Sequence, residues 1–145
     1  MSLLEQIEII KAADLISASS SIDTNTSRID TAGCDGIMFI TTITDSAATG
    51  IATLTAQSST ADSDSAMAAI TGASATATSA TNDDLNDTLL IVDVFKPDER
   101  YVQGTLSSST ANIAYGQTIA IKYNVRSKPV TQGATVQAST AVIGS

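Results

Sequence analysis

The chain has 145 residues, of which 43% are apolar but only 3% aromatic, and its formal net charge is −8. This length fits one domain with a buried core. The negative charge argues against nucleic acid, which is bound through clustered Lys and Arg, and against anionic membranes. Because histidine is absent, Ser-His-Asp and Cys-His catalysis are excluded within one chain. We therefore do not expect an enzyme, and we predict no cofactor.

The N-terminal segment, residues 1–18, allows more than one interpretation. Ile7 and Ile9 alternate around Glu8 as in a strand, and the run is rich in β-branched residues. We predict an extended arm or an edge strand, with a short helix as the alternative. The segment lacks the pattern of a signal peptide, and no apolar run reaches the roughly 18 residues of a membrane span. The expected site of synthesis is the cytoplasm of the producing cell.

Two apolar stretches in the first half predict strands. Ile37–Ile43 is nearly continuous in apolar side chains, and Ile51–Gln57 alternates with period two. The short link containing Gly50 suggests that the two strands form a hairpin. Residues 58–88 are rich in Ser, Thr and Ala, and we predict a long surface loop there, with at most one weak strand near residues 73–79.

The second half carries the clearest strand signals. Leu89–Phe95 is apolar on both faces, which predicts a central strand, and Pro97 ends it before a second strand over Arg100–Leu106. Residues 119–126 alternate as a half-buried strand. The fold class predicted is all-β: an antiparallel β-sandwich, jelly-roll-like, in a single domain over residues 19–130. Residues 131–145 are predicted to be a C-terminal tail, either disordered or ordered against a neighbour.

Few residues offer chemistry. Cys34 is the only cysteine, so no intrachain disulfide can form, and without a histidine partner a structural thiol is favoured over a nucleophile. The acidic pairs in residues 62–64 and 83–87 match no EF-hand loop, and solvated acidic loops are favoured over calcium sites. Arg100 and Tyr101 are residue types enriched at interfaces, so they predict either a partner contact or a turn with local ion pairing.

The order of several short motifs resembles a family of small β-rich structural proteins of tailed bacteriophages and prophages. The similarity spans roughly residues 25–130, and it departs from the family pattern at Cys34 and Met67. Its matching motifs, in chain order, are Ile29–Asp35, Ala52–Ser58 before the Asp62–Asp64 loop, Ala69–Gly72, Ala80–Asp84, Glu99–Val102, Ile119–Tyr123 and Arg126–Val130.

This resemblance implies a virion protein of the capsid decoration, or cement, type. Such a protein sits on the outer capsid surface and bridges subunits of the major capsid protein, and a homotrimer is the expected form. The N-terminal arm would add a strand to neighbours. The residues predicted to contact partners are Leu3, Ile7, Ile9, Ile10, Lys96, Arg100, Tyr101 and Arg126.

Other roles stay open. A tail, head–tail joining or head-fibre component would have the same composition. A carbohydrate-binding module for host attachment would need exposed aromatic residues on one strand face, and the chain has two Phe, three Tyr and no Trp.

Overall fold

Two antiparallel β-sheets pack together in the computed structural model, which describes residues 1–144. The predicted antiparallel β-sandwich is therefore confirmed, and jelly-roll connectivity stays a prediction. No helix within residues 1–144 is long and apolar enough to span a membrane. The strands are β1 Glu8–Ala13, β2 Ile16–Ser19, β3 Asp23–Asn25, β4 Ile29–Asp30, β5 Gly36–Ser46, β6 Ile51–Ser59, β7 Ala68–Thr78, β8 Thr88–Phe95, β9 Tyr101–Ser109 and β10 Ile113–Tyr123, with one 3₁₀ turn at Asp64–Ala66.

The chain passes from one sheet to the other at almost every connection between its long strands. Sheet A has the order β1-β10-β5-β8, with β2 also pairing β10, and sheet B has the order β3-β9-β6-β7, with β4 also pairing β9. Among the long strands of residues 1–144 that follow each other in the sequence, only β6 and β7 lie side by side in one sheet. The short links therefore connect strands across the sandwich, and most strand pairs join residues far apart in sequence.

This topology corrects the predicted hairpin. Ile37–Ile43 and Ile51–Gln57 do form strands, but β5 pairs with β10 and β8, whereas β6 pairs with β9 and β7. The link of Ala47–Gly50 crosses from one sheet to the other. The alternation of apolar residues identifies a strand but not its partner, which here is set by packing of both sheets on one core.

Two further predictions were wrong. The expected loop over residues 58–88 contains β7, an eleven-residue strand. Its Ala, Ser and Thr side chains are too small and too polar to give a clear apolar signal. Leu89–Phe95 is not a central strand: β8 is an edge strand of sheet A, and its burial alternates. Leu90, Val92 and Val94 enter the core, while Leu89, Ile91 and Phe95 are exposed on the opposite face.

The N-terminal segment joins this chain's own sheet. Residues 8–13 pair with β10 as the strand β1, so this part is not a free arm. The following tail runs beside β1. The amide of Gln132 donates to the carbonyls of Leu4 and Ile7, and its Oε1 accepts from the Ile9 N–H at 2.8 Å. Thr135 Oγ1 accepts from the Lys11 N–H. The tail thus covers the outer edge of β1.

The core lies between the sheets. Phe39 and Ile43 of sheet A and Leu54 and Leu106 of sheet B are fully buried in it. Tyr115 of β10 reaches across this core: its hydroxyl accepts from the Thr53 N–H at 3.0 Å and donates to the Ser107 carbonyl at 2.6 Å. Because Thr53 and Ser107 face each other on β6 and β9, this hydroxyl ties sheet A to the centre of sheet B.

Candidate interaction surface

The outward side of sheet A is largely apolar, with Lys11 and Asp93 as the charged residues of its two central rows. The register aligns Ile119, Ile40 and Ile91 across three strands in one row, and Ile9, Ile121 and Met38 in the next. All six side chains are half-buried or exposed, because their neighbours in sequence fill the core instead. We define the outer apolar face by its members, which are Ile9, Met38, Ile40, Leu89, Ile91, Phe95, Ile119, Ile121 and Tyr123.

The size of this face sets it apart from ordinary scattered surface hydrophobics. Four strands about 4.8 Å apart, each contributing about seven residues at about 3.3 Å, cover roughly 400 Å². Patches of a few hundred Å² are the largest found on typical monomers and commonly mark interaction sites.

The outward side of sheet B has the opposite chemistry. The hydroxyls of Thr53 and Thr76 are hydrogen-bonded at 3.2 Å, and those of Thr55 and Ser74 are hydrogen-bonded at 2.9 Å. Thr105 continues the second row and donates to Asn25. Both sheets bury one side in the same core, so burial alone does not explain why only sheet A is apolar outside.

An aromatic pair ends the outer apolar face. Phe95, Gly36 and Tyr123 lie side by side on β8, β5 and β10, and the two rings are stacked with centroids 6.4 Å apart and planes 3° from parallel. A Cβ on Gly36 would lie 2.1 Å from Tyr123 Cζ, so glycine is required beneath the ring. The Tyr123 hydroxyl donates to Asp93 at 2.6 Å, and burial together with that carboxylate raises its pKa well above the usual value.

The charged residues predicted to contact a partner gather at the adjacent end of the sandwich. Lys96, Arg100 and Arg126 line one surface depression together with Cys34 and Asp35. The Arg100 guanidinium donates two hydrogen bonds, of 2.8 and 2.7 Å, to the Asp30 carboxylate. These hydrogen bonds lower the pKa of that carboxyl to about 2.

The other charged side chains at this end also contact neighbouring side chains. Arg126 donates to Asp35 at 2.9 Å. Lys96 Nζ lies 5.3 Å from the centroid of the Phe95 ring, and the Arg100 guanidinium lies 5.2 Å from that of Tyr101. The ion pair of Arg100 is thus made with Asp30 on β4, far away in sequence, and not within the turn as predicted. A partner role for Arg100 and Tyr101 stays a prediction.

The predicted contact residues of the N-terminal segment fall in different places. Ile9 belongs to the outer apolar face, whereas Ile10 points inward and packs against the core. Ile7 is half-buried and its carbonyl accepts from Gln132, while Leu3 is 70% exposed near the tail. The structure thus brings only Ile9 of this group into the outer apolar face.

Sequence reasoning missed most of that face. The missed members are Met38, Ile40, Leu89, Ile91, Phe95, Ile119, Ile121 and Tyr123. The sequence did show apolar residues on both sides of β5 and β8. We interpreted this pattern as burial of both sides of each strand within the domain.

The acidic loops are held by local contacts. Asp62 pairs with Arg28 at 2.7 Å, and Asp64 accepts from Asn25 and Gln103. Asp84 accepts from Ser79 and from the Ala80 and Thr81 N–H groups, and these hydrogen bonds lower its pKa. Residues 1–144 hold no group of three or more acidic or cysteine side chains placed to bind a metal ion.

Cys34 is buried, and its thiol donates to the Thr31 carbonyl at 3.2 Å. Burial raises the pKa of this thiol, which disfavours the reactive thiolate form.

The geometry defines a rigid all-β domain with one apolar and one hydroxyl-rich outer face. A scan of the chain against models of known protein families finds no match, and a search of curated proteins finds no significant relative.

Proposed function

We propose that this chain is a structural protein of a tailed-phage particle, of the type that decorates and cements the capsid. The observation that carries this proposal is the outer apolar face, whose nine side chains lie on a sheet face of roughly 400 Å² that also carries Lys11 and Asp93. Its centre, at Ile40 and Ile119, consists of side chains that offer shape and apolar area but no hydrogen-bonding groups. Such a surface is suited to a fixed protein contact.

The proposed mechanism is repeated bridging of the major capsid protein. Each copy would place its outer apolar face on the shell, with the charged end at Arg100 and Arg126 supplying polar contacts at the rim. Many copies on a repeating lattice would then hold neighbouring subunits together without a strong single contact. The self-association expected from the resemblance is part of this proposal.

The direct test uses particles of the phage that encodes the chain. Particles that lack the protein are incubated with purified chain, imaged by cryo-electron microscopy and heated until DNA is released. We expect density on the outer capsid surface and release at a higher temperature. Density confined to the tail, or an unchanged release temperature, would contradict the cement role.

A matched pair of variants tests the surface. Ile40→Lys puts a charge at the centre of the outer apolar face, on a central strand of sheet A. Thr55→Lys puts the same charge on the outer face of β6, a central strand of sheet B. We expect particle binding to fall at least tenfold for Ile40→Lys and to persist for Thr55→Lys. Equal binding of both variants would show that another surface makes the contact.

One observation bears on the carbohydrate-binding alternative. Phe95 and Tyr123 form an aromatic platform at one end of the outer apolar face, as sugar stacking requires. Asp93 and Lys96 are the polar groups beside this platform, and Asp93 already accepts a hydrogen bond from Tyr123, whereas sugar recognition needs several placed polar groups. Binding of the wild type to host surface glycans, lost in Phe95→Ala, would favour this alternative over cementing.

A further inference from the structure

The two sides of the sandwich protect their sheet edges differently. On the side of β1, sheet A ends in a bulged strand covered by Gln132 and Thr135, and sheet B ends in β3 and β4, which have three and two residues. Short, bulged or covered edges are the devices that keep sheets from pairing with other chains. This side is closed to strand addition.

The opposite side carries two long edges: β8 is regular throughout, whereas β7 has a register shift between Ala69 and Ser74, around Gly72 with φ 82°, and is regular from Ser74 to Thr78. β7 has eleven residues and β8 has eight, and within residues 1–144 no backbone hydrogen bond from another segment reaches the outer edge of residues 89–95. β7 has no charged residue or proline, and Asp93 is the only charge on β8. We define the β7–β8 wall as these two edges and the groove between them, which is lined by Ala69, Ile70, Thr71, Val94 and Phe95 among others.

The hydrogen-bonding direction of β8 follows from one contact. The Lys96 N–H donates to the Asp35 carbonyl of the β5 side at 2.6 Å. Backbone groups alternate along a strand, so even-numbered residues of β8 bond to β5. Leu89, Ile91, Asp93 and Phe95 therefore direct their N–H and carbonyl groups to the open edge. Leu89, Ile91 and Phe95 are also the exposed apolar side chains of this strand, at 56%, 49% and 58%.

The same reasoning applies to β7. The Ser79 N–H donates to the Gly50 carbonyl at the β6 side. Ser74, Thr76 and Thr78 therefore direct their backbone groups away from β6, toward the open edge. β7 and β8 run in opposite directions, because β5 and β6 are joined by a short link and each pairs antiparallel with its edge strand.

We propose that the β7–β8 wall is where copies of this chain meet, with β8 of one copy adding antiparallel to β7 of the next. Charge favours this pairing over β8 with β8, which would bring two Asp93 side chains close together in chains that each carry −8. Both edges lie on one wall, so successive copies turn about an axis along the strands. A two-fold axis along the strands then places β8 of each copy beside β7 of the other, which closes the contact between two copies.

The size of the wall is sufficient for a specific contact. Eight residues at about 3.3 Å give a length of about 26 Å, and two sheets about 10 Å apart with their side chains give a height of about 20 Å. The resulting area, roughly 500 Å², approaches the roughly 600 Å² per partner of the smaller specific interfaces. Main-chain hydrogen bonds along both edges add to the apolar contact of Leu89, Ile91 and Phe95.

The test is the solution mass of the full chain and of three variants, measured by light scattering at micromolar concentration. The wild type is expected to be a discrete oligomer. Ile91→Lys and Thr76→Lys put a charge on each open edge and should shift it to monomer. Ile119→Lys, on the same outer face as Ile91 but on the interior strand β10, should keep the oligomer. Circular dichroism checks that each variant remains folded.

Each contrary result overturns the proposal. A monomeric wild type refutes self-association, and an oligomer that persists in Ile91→Lys or Thr76→Lys refutes edge pairing. Dissociation of Ile119→Lys to the same extent would place the contact on the outer apolar face. Failure here is separable from failure of the cement role. A wild-type chain that is monomeric but still binds capsids overturns only this inference. A wild-type chain that is oligomeric but does not bind capsids overturns only the proposed function.

Discussion

Tyr115→Phe tests whether the tyrosine hydroxyl fastens the two sheets together. Tyr115 is 1% exposed, and the substitution removes only its oxygen. The Thr53 N–H and the Ser107 carbonyl then lose their partner in the interior. A buried polar group left without a partner costs about 1–3 kcal/mol. Direct closure of the β6–β9 gap would recover part of this cost, so we expect the free energy of unfolding to fall by about 2 kcal/mol.

The pH dependence gives this prediction a second readout. Burial raises the pKa of Tyr115 to about 12, so the folded state keeps the phenol protonated where the unfolded state, with a pKa of about 10, has lost the proton. Its contribution to stability is therefore complete below pH ~10 and is lost as the pH rises toward ~12. A shift from 10 to about 12 corresponds to roughly 3 kcal/mol. Tyr115→Phe has no phenol to titrate, so the difference in free energy of unfolding between the wild type and this variant should shrink as the pH rises from ~10 to ~12.

Urea unfolding of the wild type, Tyr115→Phe and a control, Tyr101→Phe, measures both effects. Tyr101 is half-buried, and its hydroxyl makes no hydrogen bond within residues 1–144, so its loss should change stability by less than about 0.5 kcal/mol. Equal stability of Tyr115→Phe and the wild type at neutral pH would show that the inter-sheet hydroxyl does not stabilise the packing of the two sheets. A difference that stays constant from pH 9 to 12 would refute the titration argument.

Two further predictions concern one end of the sandwich. Gly36→Ala should cost about 1–3 kcal/mol because the new methyl displaces the Tyr123 ring. In a Tyr123→Ala background, urea unfolding should show the same change to be nearly neutral, and an equal cost in both backgrounds would contradict the steric reason. Asp30→Asn should cost less than about 1 kcal/mol at pH 7, because the Arg100 pair is partly exposed. The pKa of Asp30 is about 2 in the folded state, so this contribution is lost as pH falls below ~4 toward ~2, and the difference in urea midpoint should vanish there.

The strands and the fold class could be predicted from sequence because alternation is a local property. Ile51–Gln57 and Ile119–Tyr123 lie within observed strands, and the sandwich follows from many strands without crossover helices. Strand partners could not be predicted, since neighbours in the sheets, such as β1 and β10, are distant in sequence. β7 was predicted only as at most one weak strand near residues 73–79, which covers its second half, because Ala, Ser and Thr carry little apolar contrast.

The same limit explains the missed surface. Apolar residues on both sides of a strand predict cover on both sides, and that rule holds for a strand inside a larger assembly as well as inside one domain. Ile91 and Ile40 satisfy the pattern without being covered by their own chain. The sequence signal therefore identifies an apolar side chain without showing whether its own chain covers it.

β8 belongs to both proposed contacts, and this shared strand determines how they can be separated. Pairing at the β7–β8 wall would flank Leu89, Ile91 and Phe95 with a neighbouring strand and leave Met38, Ile40, Ile119 and Ile121, on β5 and β10, open to a second partner. A charge on Ile91 should then break the oligomer directly and weaken capsid binding only through lost multivalency. A charge on Ile40 should abolish capsid binding and leave the oligomer intact. Loss of both properties together in both variants would mean that one surface serves one partner, and that the division between β8 and the interior strands is wrong.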